Sequence, residues 1–448
     1  MARTIHPASP LGIELSRRRA LQALGLVALT PAALSLAGCA PEGGGGGSDD
    51  PLSGTLTFVY MGDADQQKAF KQLFELFNEQ YPDIELKAQG IPSGNWATFS
   101  NAVATKIAGG AKIDIIQIAT EGQRLFSSKK GLLHPLEDLI AQDQKVVDEY
   151  WSDCNPNLKT WNTEYASPDG KTYFMPGGFN TMCLYANKDV FAAAGAELPA
   201  ADWTWDDFVA AGTLIKEKTG AFLVPAASGY FTDVMPWLTT NGASTFDAEW
   251  STPSYDTDAA IESAEFVRGL VEQGLAPEPG GQFDAGVQLQ KGELATLGGG
   301  RWPTLGMRDL DMVDKVRIVN WPTRAGNGSP VGWDAWPITE SSQNKQAAWT
   351  FIKFLISKEA SEYFATIGGT IVPARNSVAN SAAFTDNAPE GSPLLSEAMS
   401  FATPIPSPDR GAECQKIIEE AWLSVISGNQ KASVALPAAN EKLAELVP

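Results

Sequence analysis

The chain has 448 residues, with 53 acidic side chains against 33 basic ones, a net charge of −20 and 44% apolar content. So acidic a surface repels phosphate backbones and anionic lipid, which argues against a nucleic-acid partner. Four cysteines and two histidines, with no Cys-x-x-Cys spacing and no histidine cluster, argue against a zinc site, and neither a metal nor a cofactor is expected.

The first 51 residues read as an address. Arg17, Arg18 and Arg19 precede an apolar run over 20–37 that Gln22, Gly25, Thr30 and Pro31 interrupt. That run is too short and too broken to span a bilayer, so it predicts a removable export signal. Ser16-Arg17-Arg18 followed by Leu21-Gln22 resembles the twin-arginine export signal. Leu36-Ala37-Gly38-Cys39 resembles the bacterial lipobox, which implies a signal peptide over 1–38 and lipidation of the Cys39 thiol. The glycines that follow give 39–51 the composition of a flexible tether. Cleavage before Cys39 would remove four arginines and one glutamate, leaving a net charge of −23.

The remainder is long enough for two lobes with cores of their own. Residues 56–60 and 84–88 read as strands, 66–81 and 96–108 as helices, and 113–118 as a third strand. This alternation predicts a doubly wound α/β lobe with a mainly parallel sheet, in which ligands lie beyond the carboxyl ends of the strands. Asp63, Asp65 and Glu121 fall in those loops, although Asp63 and Asp65 also suit a helix cap and its neighbour. Residues 171–178 predict a strand running into a glycine-rich break, and 182–187 a strand beyond it. Thr204 reads as the cap of a helix that Trp205 opens, and 230–237 as a loop and helix start. Further helices are predicted over 259–273, 345–357, 413–427 and 433–446, and strands over 294–297 and 331–338. Gly298-Gly299-Gly300 lacks both the Walker lysine and the Gly-x-Gly-x-x-Gly pattern, so it is not a phosphate loop. Cys154, Cys183 and Cys414 leave open a disulfide between two of them or burial as small apolar residues.

Several motifs, in this order, resemble the family 1 extracellular solute-binding proteins of bacterial ABC importers, especially the sugar-binding branch. They include Phe77-x-x-x-Tyr81-Pro82, Ala108-Gly109-Gly110-x-x-Ile113-Asp114, Gly131-Leu132-Leu133-x-Pro135-Leu136, Leu184-Tyr185-Ala186-Asn187-Lys188-Asp189, Trp205-Asp206-Asp207-Phe208, Gly300-x-Trp302 and Pro373-x-Arg375. The resemblance implies a two-lobed periplasmic-binding-protein-like fold, each lobe a mainly parallel sheet flanked by helices, with hinge strands crossing between them. The lobes are expected over 52–177 plus 336–373 and over 178–335 plus 374–448. It further implies a monomer with no catalytic residues, lipid-anchored to the outer face of the cell membrane, which hands a sugar to the permease subunits of an ABC importer.

A neutral sugar presents hydroxyls, met by carboxylates, amides and arginine, and C–H faces, met by aromatic rings. The polar candidates are Asp63, Asp65, Glu121, Asn180, Asp334 and Arg375, and the aromatic ones Tyr230, Trp237, Trp302 and Trp333. Burial in a core is the alternative reading for each tryptophan. An exported glycoside hydrolase would also combine tryptophans with paired acids, and a receptor of the same fold could take a polyamine, a glycerol phosphodiester or a peptide.

Overall fold

The computed structural model describes residues 52–447 apart from Lys130, Gly281, Gln282 and Gly368. The expected export signal, Cys39 and the expected tether lie outside the described residues. The strands are β1 (Gly54–Met61), β2 (Ile84–Ile91), β3 (Ile115–Ile116), β4 (Ile118–Ala119), β5 (Met175–Thr181) and β6 (Cys183–Asn187), then β7 (Thr296–Gly299), β8 (Val316–Val319), β9 (Ser329–Trp336), β10 (Val372–Pro373) and β11 (Ala402–Pro404). The two-lobed α/β architecture follows from how they pair.

The first sheet, β2-β1-β3, is parallel throughout, as the alternating pattern predicts. Its flanking helix Ala64–Gln80 buries Phe70, Leu73 and Phe77 at helical spacing. Asp63 caps that helix reciprocally: its Oδ1 accepts the Gln66 N–H at 2.9 Å, and Gln66 Oε1 accepts the Asp63 N–H at 3.1 Å. Phe58, Phe77 and Phe351 then interlock edge to face, with centroids 4.8–5.2 Å apart.

The other two sheets depart from the parallel expectation. In β10-β5-β9-β11, β5 pairs antiparallel with β9 and with β10, and only β11 runs parallel to β9. In β7-β6-β8 both pairings are antiparallel. The predicted third strand also divides. Ile115 and Ile116 pair with β1, whereas Ile118 and Ala119 pair with β9, so the chain changes sheets at Gln117.

The glycine break predicted near Gly177 is instead continuous strand, with a bulge between Pro176 and Gly178. The glycines are there for close approach. A Cβ on Gly177 would lie 1.8 Å from the Trp336 ring, and one on Gly178 would lie 2.5 Å from the Val372 carbonyl oxygen.

A second apolar cluster gathers Phe208, Trp237, Leu270, Trp422 and Leu436. Thr204 and Asp207 form a capping box at the start of the helix Trp205–Thr219, as the sequence implies for Thr204. Cys154, Cys183 and Cys414 are free and buried, which resolves the open cysteine question in favour of packing. Among the described residues no helix is long and apolar enough to cross a membrane.

Gly177→Ala would drive a methyl into the Trp336 indole. It is expected to lower stability by about 1–3 kcal/mol, read as a reduced midpoint in thermal unfolding. An unchanged midpoint would show that the indole moves aside freely.

Candidate ligand-binding cleft

A cavity of about 820 Å³ opens beyond the carboxyl ends of β1, β2 and β4. Its first wall comes from the Asp63 and Gln66 turn, from Asn95 and Trp96 after β2, and from Gln117 and Glu121. The opposing wall comes from Tyr230, Phe231 and Thr232, from Trp302, and from Gln415 and Glu419. Gly332 and Asp334 of β9 and Asn180 of β5 lie between them.

The helix Thr120–Ser127 starts where β4 ends, which puts Glu121 in its first turn facing the cavity. A helix N-terminus favours a carboxylate, but burial outweighs that here and pushes the Glu121 carboxyl up to about 7. Asp334, 4% exposed, is also pushed up to about 7. Burial is the main cause and the Glu121 charge the second, while a 3.0 Å hydrogen bond from Gln117 Nε2 pulls the other way. Asp233 stands behind the opposing wall, pushed up to about 6 by burial despite bonds from Thr232 and the Gly229 N–H. Glu419 Oε1 accepts both the Tyr230 N–H at 2.9 Å and the Gln415 amide at 2.8 Å.

The aromatic surface is divided between the walls. Trp96, the first residue of its helix, is held by the Asn95 cap and rests edge-on against Phe99 at 5.6 Å. Trp302 faces Phe231 across 6.1 Å, and no residue larger than glycine would serve at position 300, since a Cβ there would lie 2.5 Å from the Trp302 ring. Tyr230 and Phe231 open a π-helical turn, Tyr230–Val234, a local winding that often accompanies functional sites.

Of the residues expected from sequence, Asp63, Glu121, Asn180, Tyr230, Trp302 and Asp334 line this cavity. Besides Asp63, which caps its helix, two of these are occupied structurally. Asn180 accepts the Arg301 N–H at 2.8 Å and donates to the Thr370 carbonyl at 3.0 Å, so it ties two wall segments together. The Tyr230 hydroxyl donates to the Pro406 carbonyl and meets Thr245 Oγ1 at 2.6 Å. The Asp65 side chain lies outside the described residues.

Three expectations do not hold in the geometry. Trp237 packs in the second core against Trp205, Phe208, Phe266 and Trp321, with centroids 5.3–5.9 Å away. Trp333 is fully buried because it alternates with Gly332 and Asp334 along β9, and those two face the cavity. Arg375 is consumed by a bidentate pair with Glu149 at 2.9 Å, by Asp153 at 3.3 Å and by the Ile356 carbonyl. The residues missed were Trp96, Gln117, Phe231, Gln415 and Glu419. Trp96 follows an Asn cap after a strand, a signal present in the sequence, but Glu419 is one acid among several on the helix Gly411–Ile426 and carries no local mark.

Glu121 and Asp334 both have folded-state values above those of the unfolded chain, which are ~4. The folded state therefore holds more protons between ~4 and ~7, and the pair's contribution to stability falls as pH rises through that window. Glu121→Gln is expected to stabilise the ligand-free protein by roughly 1–2 kcal/mol at pH ~8, with the gain fading by pH ~4. Thermal midpoints of both proteins across pH would reveal this, and a pH-independent difference would refute the burial account.

The family model described as bacterial extracellular solute-binding protein matches residues 63–362. Among curated relatives, the arabinooligosaccharide-binding protein of Halalkalibacterium halodurans is 25% identical over 334 residues, covering 71% of this chain and 72% of its own. Among solved structures, an ABC substrate-binding protein from Listeria monocytogenes in complex with cycloalternan superposes with a TM-score of 0.75 at 20% identity, covering 88% of this chain and 98% of that one. The GacH receptor of Streptomyces glaucescens, solved unliganded and with acarbose, gives 0.73 at 22% identity, with coverage of 88% and 98%. With the family model spanning most of its length, the chain belongs to the bacterial extracellular solute-binding proteins.

Proposed function

We propose that the protein is the receptor of an ABC importer that binds an oligosaccharide in this cleft and delivers it to the permease subunits. The observation that carries the reading is the joint presence, in one cavity of about 820 Å³, of flat aromatic faces and hydrogen-bonding carboxylates. Trp96, Phe231 and Trp302 offer surfaces for pyranose C–H faces, and Glu121, Asp334 and Glu419 offer acceptors for hydroxyls. The volume sits near the upper end of ordinary small-molecule sites, which suits more than one sugar ring. A glycerol phosphodiester fits poorly, because no lysine, arginine or histidine is among the lining residues. The sugar ligands named for the relatives agree with this reading.

In the same reading the lobes are 52–177 plus 336–373 and 178–335 plus 374–448, closing on the solute about the crossing strands. The chain is exported through a twin-arginine signal, cut before Cys39 and held as a monomer on the outer face of the membrane by lipid on that cysteine. The tether would keep the receptor concentrated near its permease without fixing its orientation. A glycoside hydrolase built on the same acids would release sugar from a chromogenic glycoside, and such release by the purified protein would replace this reading.

A thermal-shift panel of oligosaccharides identifies the ligand, since a ligand at 100 times its dissociation constant stabilises by about 2.7 kcal/mol. Trp302→Ala is expected to weaken binding about tenfold or more while the unligated midpoint stays within a few degrees, measured by calorimetry. Unchanged affinity would remove Trp302 from the site. Cys39→Ser is expected to release from cells a protein that binds the same sugar with unaltered affinity, and a membrane-retained Cys39→Ser protein would refute lipid anchoring.

A further inference from the structure

The charge balance of the cleft carries the sugar reading further and rests on it. Asp63, Glu121, Asp334 and Glu419 all line the cavity, with no basic side chain among the lining residues. Asp63 serves the helix it caps. The other three share the cavity lining with Tyr230, which Glu419 holds through its N–H at 2.9 Å, and the Glu121 charge reaches Asp334.

The nearby cations are engaged elsewhere. Arg124, on the helix of Glu121, donates to the Tyr165 carbonyl at 2.8 Å and lies over the Trp250 ring. Arg410, at the start of the helix that carries Glu419, pairs with Glu413. Asp233 adds a further acid behind the wall.

A separate observation concerns Gln117, which lines the cavity at 6% exposure with its Oε1 lacking any hydrogen-bond partner. Its Nε2 donates to Asp334 Oδ2, and with Asp334 ionised the reversed amide would set a carbonyl against that oxygen. Among the described residues, no other side chain donates to the Glu121 carboxylate or to Asp334 Oδ1, and Glu419 receives both of its bonds on Oε1. With Glu121 and Asp334 ionised, the state that a neighbouring cation favours, the unfilled positions are acceptors. A hydroxyl brings one donor together with lone pairs that need donors of their own, whereas an ammonium brings three donors and no acceptor.

We propose that the preferred solute is an amino sugar with a free, protonated amine, seated among Glu121, Asp334, Glu419 and the Gln117 carbonyl while its rings lie against Trp96, Phe231 and Trp302. The chemistry separates it from N-acetylated sugars, whose amide is neutral and would carry an acceptor oxygen toward Glu121, Asp334 and Glu419. It equally separates it from plain glucans.

Calorimetry on the purified protein at pH ~7 with three β-1,4-linked trimers tests this: glucosamine, N-acetylglucosamine and glucose. The glucosamine trimer is expected to bind about tenfold or more tightly than the other two. Its advantage is expected to shrink as sodium chloride rises from about 50 to about 500 mM, and to be lost in Glu121→Gln, whose folding is checked by its thermal transition. No binding of the glucosamine trimer overturns the inference, as does equal or tighter binding of either neutral trimer. If a neutral trimer or another neutral oligosaccharide binds as tightly as the glucosamine trimer, or binds when it does not, the sugar reading stands without the amine. If spermidine binds while every sugar fails, both readings fall.

Discussion

The alternation of side chains along β9 is the constraint on which the cleft depends. Successive residues of a strand face opposite sides, so placing Trp333 in the core places Gly332 and Asp334 in the cavity. The same strand pairs with β4, β5 and β11, and through them it sets the depth of the floor. Thr120 bonds both the N–H and the carbonyl of Trp333, and Gln123 adds a second bond to that carbonyl. The helix that carries Glu121 is thereby fixed against the strand that carries Asp334. A one-residue slip would exchange an indole for a carboxylate on both faces, with a bulky ring in the cleft and an acid in the core.

That placement brings two acids closer to the interior than either would stand alone. Each loses hydration, Asp334 also feels the Glu121 charge, and the Gln117 amide compensates only Asp334. A protein built for stability alone would pair such groups, as it pairs Arg375 with Glu149 and Asp153. The contrast sorts the polar residues by use. Asn180, Tyr230 and Arg375 spend their hydrogen bonds on the fold, whereas Glu121, Asp334 and Glu419 line the cavity and Gln117 Oε1 has no partner in the protein.

Much of this was legible in the sequence. The parallel first sheet announces itself through 2-residue and 3.6-residue periodicities in turn, and the Thr204 cap through a hydroxyl placed three residues before an acid. Loops after the first strands directed attention to Asp63 and Glu121 because strand ends of open α/β sheets gather ligands. What sequence could not supply was the sharing of one residue type between core and site. Trp237, Trp302 and Trp333 all sit beside glycine or near it, yet only Trp302 meets the cavity. The difference lies in a partner strand for Trp333 and in four aromatic neighbours for Trp237, contacts between segments far apart in the chain. Arg375 misled for a similar reason, since its carboxylate partners stand more than 200 positions earlier.

The strand change at Gln117 shows how fold and site arise from one event. Had residues 113–118 formed a single strand, Gln117 would have alternated into a sheet face like its neighbours. Instead its N–H bonds the Val59 carbonyl at 2.8 Å while Ile118 and Ala119 turn to pair with β9. The switch leaves its amide at the seam between two sheets, where one end meets Asp334 and the other meets no protein group. A buried carbonyl without a partner is normally eliminated, because desolvating it unpaired costs about 1–3 kcal/mol. Its persistence at a cavity wall is economical if an incoming donor completes it. The same deficit then favours closure of the site around a ligand, since binding satisfies Gln117 and relieves the acids in a single step.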